Sequence, residues 1–187
     1  MGKYSKMRGV TLLELMIALL IASVMLTIGI PSFQAVLDNQ RLTVATNEMV
    51  MSLNLAKSEA IKRVAYVTLC KSNNGVACTA GGAWNDGWIV FANSGVANLD
   101  AIDAGDEIIR IYPKLRESID LTPTGTIVDF LSFRPSGTLG TSVANMTGTL
   151  TVCDERGAEH ARGVLLEASG RWSVSRDLAH DGGALAC

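Results

Sequence analysis

One uninterrupted apolar run dominates the N-terminal part of the chain. Residues 10–30 read VTLLELMIALLIASVMLTIGI and contain a single charged residue, Glu14. At a rise of about 1.5 Å per residue, a helix of this length crosses the hydrocarbon core of a bilayer. The pattern therefore predicts a membrane-spanning helix segment over residues 10–30, with one carboxylate near its start.

A second helical pattern, amphipathic rather than wholly apolar, covers residues 31–64. Apolar side chains step by three or four positions along one face. The members of this face are Leu42, Ala45, Met49, Leu53, Ala56, Ala60 and Val64. Since Pro31 has no N–H to donate, we expect a bend or local melting near Ile30. A continuous helix over both segments would be about 80 Å long, and its second half is predicted to pack on the rest of the protein.

Short runs of β type, separated by Gly, Asn and Asp, follow the helical patterns. The candidate strands are Ala65–Lys71, Gly87–Ala92, Glu107–Tyr112, Ile127–Phe133, Gly148–Asp154, Gly163–Ala168 and Arg171–Arg176. Gly170 lies between the last two and favours a tight C-terminal hairpin. A long helix followed by strands predicts an α+β fold. In this fold, a C-terminal antiparallel β-sheet domain over residues 65–187 packs on the second half of the N-terminal α-helix.

The residues before the apolar run are basic: Lys3, Lys6 and Arg8 occur there without an acid. An ordinary cleaved secretory signal is the first alternative, but the run exceeds the usual h-region of about 7–15 residues and no small-x-small site follows it. Cutting after Gly9 would place a free amine on Val10, four residues before Glu14. A carboxylate in a membrane helix either finds such a partner or reaches back to the interface.

The segment Lys6-Met7-Arg8-Gly9, followed by Val10-Thr11-Leu12-Leu13-Glu14, resembles the class III signal of type IV pilins. In that family a prepilin peptidase cuts after the glycine, the new N-terminal residue is methylated, and the glutamate pairs with the N-terminal amine of a neighbouring subunit. The resemblance implies a leader at residues 1–9, cleavage between Gly9 and Val10, N-methylation of Val10 and an assembly role for Glu14. The family usually has Phe where this chain has Val10.

Later fragments resemble the FimT, FimU and GspH group of minor pilins and pseudopilins. In chain order they are Ser58-Glu59-Ala60, the loop from Cys70 to Cys78 with Gly87-Trp88-Ile89-Val90-Phe91, Phe133-Arg134-Pro135-Ser136-Gly137 and Ser169-Gly170-Arg171. The resemblance implies the type IV pilin fold and a minor pilin that primes a type IV pilus near its tip. The alternatives are a GspH-type pseudopilin of a type II secretion system and a FimT-like DNA-binding pilin for natural transformation.

The same resemblance implies the location and the partners. A pilin of this type begins as a single-pass protein of the inner membrane with a periplasmic head and is later assembled into the extracellular filament. Its partners would be the prepilin peptidase, the inner membrane and other minor and major pilins, with DNA as a weaker candidate.

Four cysteines, Cys70, Cys78, Cys153 and Cys187, follow the apolar run. An even number in an exported domain favours two disulfides over free thiols, and no histidine has a cysteine at zinc-ligand spacing. Of the three possible pairings we expect Cys70–Cys78, which brackets a polar turn, and Cys153–Cys187, which ties the C-terminal tail beside the sheet. The crossed pairings would force the first loop against the C-terminus.

The net charge of −2 excludes nucleic-acid binding by overall charge, because residues 10–187 carry 13 basic against 18 acidic side chains. Only a local patch could bind DNA. Some FimT-like pilins use a C-terminal Gly-Arg-x-Arg motif, whereas residues 170–173 read Gly-Arg-Trp-Ser. Alternation along a strand predicts that Trp172 and Val174 face the core. The candidate DNA contacts are Arg171, Arg162 and Arg156.

No constellation for catalysis or metal binding is present in the sequence. It contains no G-x-S-x-G elbow, Walker loop or H-E-x-x-H motif. Asp100, Asp103 and Asp106 are spaced by three rather than by the two of an EF-hand, so they read as a solvated loop. We therefore predict neither enzymatic activity nor a metal or cofactor.

Overall fold

The computed structural model describes residues 9–187, apart from the side chains at positions 28, 29 and 31. The basic leader residues Lys3, Lys6 and Arg8 therefore lie outside the described residues. The chain divides after Asn39 into an N-terminal unit and a compact C-terminal unit that begins at Gln40. We call the second unit the head and describe each unit by itself.

One long helix, α1 (Leu12–Arg63), forms the N-terminal part of the chain. The helix is continuous through Pro31, so the local melting expected near Ile30 is wrong. Proline removes a single hydrogen bond of the helical ladder, and the bonds before and after it maintain the turn.

Within the head, the predicted apolar face of α1 is confirmed for six of its seven members. Leu42, Ala45, Met49, Leu53, Ala56 and Ala60 are all buried. Val64 is instead exposed, because the helix ends at Arg63 and Val64 takes a left-handed conformation with φ 53°. The N–H of Ala65 then donates to the carbonyl of Ala60 at 3.2 Å, which closes a Schellman-type C-terminal turn.

Eight strands follow the helix within the described residues. They are β1 (Val67–Lys71), β2 (Trp88–Ala92), β3 (Glu107–Tyr112), β4 (Asp120–Pro123), β5 (Phe130–Phe133), β6 (Gly148–Cys153), β7 (Arg162–Leu166) and β8 (Trp172–Ser175). Short 3₁₀ turns lie at Trp84–Asp86 and Ala158–His160. All seven predicted strands are present with boundaries shifted by up to three residues, and β4 was not predicted. This edge strand is short and ends in proline, so its sequence resembles a loop.

The strands form two antiparallel sheets of four strands, where a single sheet was predicted. The first has the order β3-β2-β1-β5 and the second β4-β6-β7-β8. The local sequence pattern reveals strands but not their partners, and here β5 returns to pair with β1 and so ends the first sheet. The predicted α+β class is confirmed.

A single apolar core lies between the helix and the inner faces of both sheets. It joins the buried face of α1 to Leu69 and Val90 of the first sheet and to Val152 and Val164 of the second. The outer faces carry smaller buried clusters. One surrounds Cys70 with Ile89 and Phe91, and the other joins Cys153, Ala161 and Leu185. Each smaller cluster contains one or more of the cysteines.

Candidate functional site

The start of α1 is a capped helix N-terminus. The hydroxyl oxygen of Thr11 accepts a hydrogen bond from the N–H of Glu14 at 3.2 Å. This is the N-cap arrangement, and it makes Glu14 the third residue of the helix. Glu14 therefore lies in the first turn, where exposed N–H groups and the helix dipole favour a carboxylate. Gly9 and Val10 lie just before the cap and are both exposed.

The apolar side chains that follow Glu14 have no cover in the isolated chain. From Leu12 to Leu26 every large apolar side chain is 48–77% exposed. The helix is long and apolar enough to cross a membrane. Its few polar groups bond internally, since the hydroxyls of Ser23 and Thr27 donate to the carbonyls of Leu20 and Val24, each at 2.8 Å. A surface of this kind is stable only among lipid tails or other apolar helices.

Two disulfides cross-link loops of the head. Both have the pairing that was predicted from the sequence. Cys70–Cys78 has a Cα–Cα distance of 5.5 Å, and Cys153–Cys187 has one of 5.8 Å. The second bridge ends a tail that crosses the outer face of the second sheet. There the N–H of His180 donates to the hydroxyl oxygen of Thr149 at 2.8 Å.

A glycine on β7 makes room for this tail. A Cβ added at Gly163 would lie 2.5 Å from Cδ2 of Leu185, so only glycine permits the observed contact. Leu185 is 5% exposed and completes the small cluster around Cys153.

The acidic loop before β3 is held together by its own hydrogen bonds. The carboxylate of Asp106 accepts from the N–H and the hydroxyl of Ser94, at 2.7 and 2.9 Å, and from the N–H of Asp103 at 2.9 Å. Burial alone would raise the pKa of Asp106, but these hydrogen bonds outweigh it and lower the pKa. The carboxylates thus organise the loop.

The structure separates Arg171 from Arg156 and Arg162, the other two arginines proposed as DNA contacts. Arg156, in the turn between β6 and β7, binds Asp154 through Nη2 at 2.6 Å and Nε at 2.9 Å. Burial would raise the pKa of Asp154, yet the hydrogen bonds from Arg156 lower it. Arg162 lies at the start of β7, whereas Arg171 lies at the opposite end of the β7–β8 hairpin, about 17 Å away along the strands. This placement does not favour a continuous DNA-binding surface.

The C-terminal hairpin has the predicted turn, but only one of the two residues that were predicted to face the core does so. The N–H of Glu167 donates to the carbonyl of Arg171 at 3.0 Å across the turn that contains Gly170. Trp172 packs against the core. Val174 is 50% exposed, so the prediction that it faces the core is wrong. Its strand partner Val164 is buried, but β8 is the edge of the sheet and lies at the margin of the core.

Arg176 was not predicted as a neighbour of Arg162. Its odd spacing from Arg171 along the strand direction places those two on opposite faces of the hairpin. In the hairpin, however, Gly163 pairs with Ser175, so Arg162 and Arg176 are the next pair outward. Arg162 and Arg176 are equally far from Ser169 in the sequence, so their pairing could have been predicted from the position of the turn.

Comparison with known proteins agrees with these features. Residues 4–30 match the prokaryotic N-terminal methylation motif, and residues 45–170 match the family described as type II transport protein GspH. None of the curated proteins matches the chain.

Two crystal structures of the type IV minor pilin FimU of Pseudomonas aeruginosa are similar in fold. The crystal form in space group P21 has a TM-score of 0.54 at 20% identity, covering 74% of this chain and 90% of the FimU chain. The form in space group P65 has a TM-score of 0.52 at 18% identity, covering 71% and 91%. The predicted type IV pilin fold is confirmed.

The fold and the N-terminal motif together define a type IV pilin-like protein. The chain belongs to the GspH family, a family of minor pilins and pseudopilins. Its members are structural proteins of filaments, so association with other pilins is the shared activity. The methylation motif and the apolar helix characterise a membrane-anchored pilin that later enters a filament.

Proposed function

We propose that this chain is a minor pilin that helps to prime a type IV pilus and occupies a position near its tip. The observation that carries the proposal is the N-terminal segment, in which an exposed apolar helix begins at a capped turn containing Glu14, within the residues that match the methylation motif. The precursor would be inserted in the inner membrane, cut by the prepilin peptidase between Gly9 and Val10, and methylated at Val10.

Cleavage would give this segment a defined electrostatic role. A free amine on Val10 would lie at the end of the helix, one turn before Glu14. Both charges would be surrounded by apolar side chains, where an unpaired ion is costly. A carboxylate–amine pair between neighbouring subunits satisfies both charges at one axial offset and so sets the register of the filament. The apolar residues that follow would be buried among neighbouring helices.

Substitution of Glu14 tests this role. We expect Glu14→Ala to insert into the membrane at least as well as the wild type, because an expensive charge is removed. Incorporation into sheared filaments should fall at least several-fold, since the partner of the neighbour's amine is missing. Glu117→Ala, at an exposed position in the head, is the matched control and should assemble normally. Equal incorporation of both variants would contradict the proposed pairing.

A second candidate is a pseudopilin of a type II secretion system, and the family description favours it. Both filament types would use the same N-terminal chemistry, so the phenotype of a deletion strain separates them. Loss of surface pili with normal secretion supports the pilus assignment. Accumulation of secreted enzymes in the periplasm with normal pili supports the secretion assignment instead.

A further inference from the structure

A pair of arginines lies at the end of the second sheet that is remote from the β7–β8 turn. Arg162 begins β7, and its partner on β6 is the fully buried Val152. The β7–β8 register places Arg176 opposite Arg162, one position beyond the last strand pair. Directly opposed residues of an antiparallel pair project to the same face. Both arginines therefore extend from the inner face of the sheet at the margin of the core.

This arrangement brings like charges together without compensation. Arg162 is partly buried, and burial together with the neighbouring charges of Arg176 and Arg156 lowers its pKa. The nearby carboxylate of Asp154 is already bound by Arg156. Within residues 9–187, no hydrogen bond or ion pair joins an acid to the guanidinium of Arg162 or Arg176. Like charges placed directly opposite destabilise a sheet unless an anion lies between them.

The surroundings of the pair favour a protein carboxylate over a nucleic acid. Residues 10–187 carry a net charge of −5, which repels a long polyanion. Two guanidinium groups match one or two oxyanions, whereas nucleic-acid binding needs a track of several phosphates. Val174, on the same face as Arg176 and 50% exposed, adds an apolar contact of the kind found in protein interfaces.

We propose that Arg162 and Arg176 form an oxyanion-binding site whose occupant is an exposed Asp or Glu carboxylate on the head of a neighbouring pilin subunit. The ligand chemistry is that of any carboxylate or phosphate, which arginine binds through paired N–H groups. The choice of a neighbouring pilin as the source of the carboxylate rests on the proposed function. The site itself follows from the geometry of the hairpin.

Thermal unfolding of the full processed chain in neutral detergent micelles tests the site without a filament. The probes are glutarate, inorganic phosphate and a short DNA duplex, each compared with chloride at equal ionic strength. Glutarate or phosphate at about tenfold excess over its dissociation constant should raise the midpoint by about 3–5 °C. Arg162→Gln and Arg176→Gln should each weaken binding about tenfold or more. Arg171→Gln, at the other end of the hairpin, should respond like the wild type.

The unliganded variants provide a second readout. Removing one of two repelling charges should leave the midpoint unchanged or raise it, whereas a fall in both variants would show a merely structural role and contradict the site. An equal loss of response in Arg171→Gln would also contradict it. A duplex that raises the midpoint more than phosphate at equal phosphate concentration would assign the occupant to nucleic acid and overturn the pilin source. Because no filament is involved, these results do not depend on the Glu14 experiment.

Discussion

The ammonium of Lys57, on the helix, donates a hydrogen bond of 2.9 Å to the carbonyl oxygen of Gly170, in the turn between β7 and β8. The same ammonium lies 5.5 Å from the centre of the Trp172 ring. One side chain thus joins α1 to the C-terminal hairpin, 113 residues later in the chain. The contact orients the hairpin that carries Arg162 and Arg176.

We expect Lys57→Met to destabilise the head by about 1–3 kcal/mol, since it keeps the apolar stem but loses a charged donor and a cation–π contact. Lys62→Met is the matched control. Lys62 lies on the same helix with 75% of its side chain exposed, and its surface ion pair is worth at most about 1 kcal/mol. Chemical denaturation of both variants measures the difference, and equal losses would show that the Gly170 contact contributes nothing specific.

Gly170 is required by its backbone conformation and by a close neighbour. Its φ is +73°, and an added Cβ would lie 2.0 Å from the carbonyl oxygen of Gly137. Gly81, with φ +77° and nothing within 4 Å of an added Cβ, isolates the conformational cost. We expect Gly81→Ala to cost about 1 kcal/mol and Gly170→Ala about 3 kcal/mol or more in the free energy of unfolding. Similar costs would show that the turn can move away from Gly137.

The two disulfides should differ in their contributions to stability. The Cys153–Cys187 bridge spans 34 positions of sequence, whereas the Cys70–Cys78 bridge spans 8. In the chain-entropy model, loss of Cys153–Cys187 costs about 4 kcal/mol and loss of Cys70–Cys78 about 2.5 kcal/mol. Paired Cys→Ser substitutions with chemical denaturation measure both. The tail should also become sensitive to limited proteolysis only when the Cys153–Cys187 bridge is absent. A tail that stays protected in that variant would show that the bridge is not what holds it against the sheet.

Acid should weaken the junction between α1 and β3. Arg63 binds Glu59 and Glu107, each at 2.6 Å. Hydrogen bonds from Arg63 lower the pKa of both carboxylates. Ionised carboxylates therefore favour the folded state, and their contribution is complete above the unfolded pKa of about 4.3 and lost as pH falls through the lowered folded values.

The corresponding experiment compares the wild type with Arg63→Gln. Below about pH 4.5, the unfolding free energy of the wild type should decrease more steeply than that of the variant. The variant lacks the cation that pairs with the two carboxylates, so their protonation costs it less stability. Denaturant titrations between pH 7 and pH 3 provide the comparison. Parallel curves for the two proteins would show that other carboxylates, such as the half-buried Asp154, dominate the acid response.

Local sequence patterns predicted the elements but not how they pair. The apolar period of α1 identified the buried face from Leu42 to Ala60 because each turn repeats the same environment. The division into two sheets, the strand β4 and the exposure of Val174 depend on contacts between distant parts of the chain. The pairing of Arg176 with Arg162 follows from the position of the predicted hairpin turn, and it was missed because faces were compared along one strand only.

The N-terminal motif could be recognised because its parts are adjacent in sequence. A basic leader, Gly9, Val10 and Glu14 occur at fixed spacing before an apolar run, and residues 4–30 match the methylation motif. The partner of Glu14 lies in another subunit in the proposed mechanism. Neither the sequence nor the fold of one chain can display that contact.

Intact mass spectrometry of the protein recovered from purified, sheared filaments tests the proposed function most directly. We expect a chain that begins at Val10, carries one added methyl group at its amine and has all four cysteines oxidised. Gly9→Leu should leave the uncut precursor in the membrane fraction, because a bulky residue blocks the cleavage site. A filament protein that begins at any other residue, or the absence of this chain from the filaments, would contradict its assignment as a processed pilin.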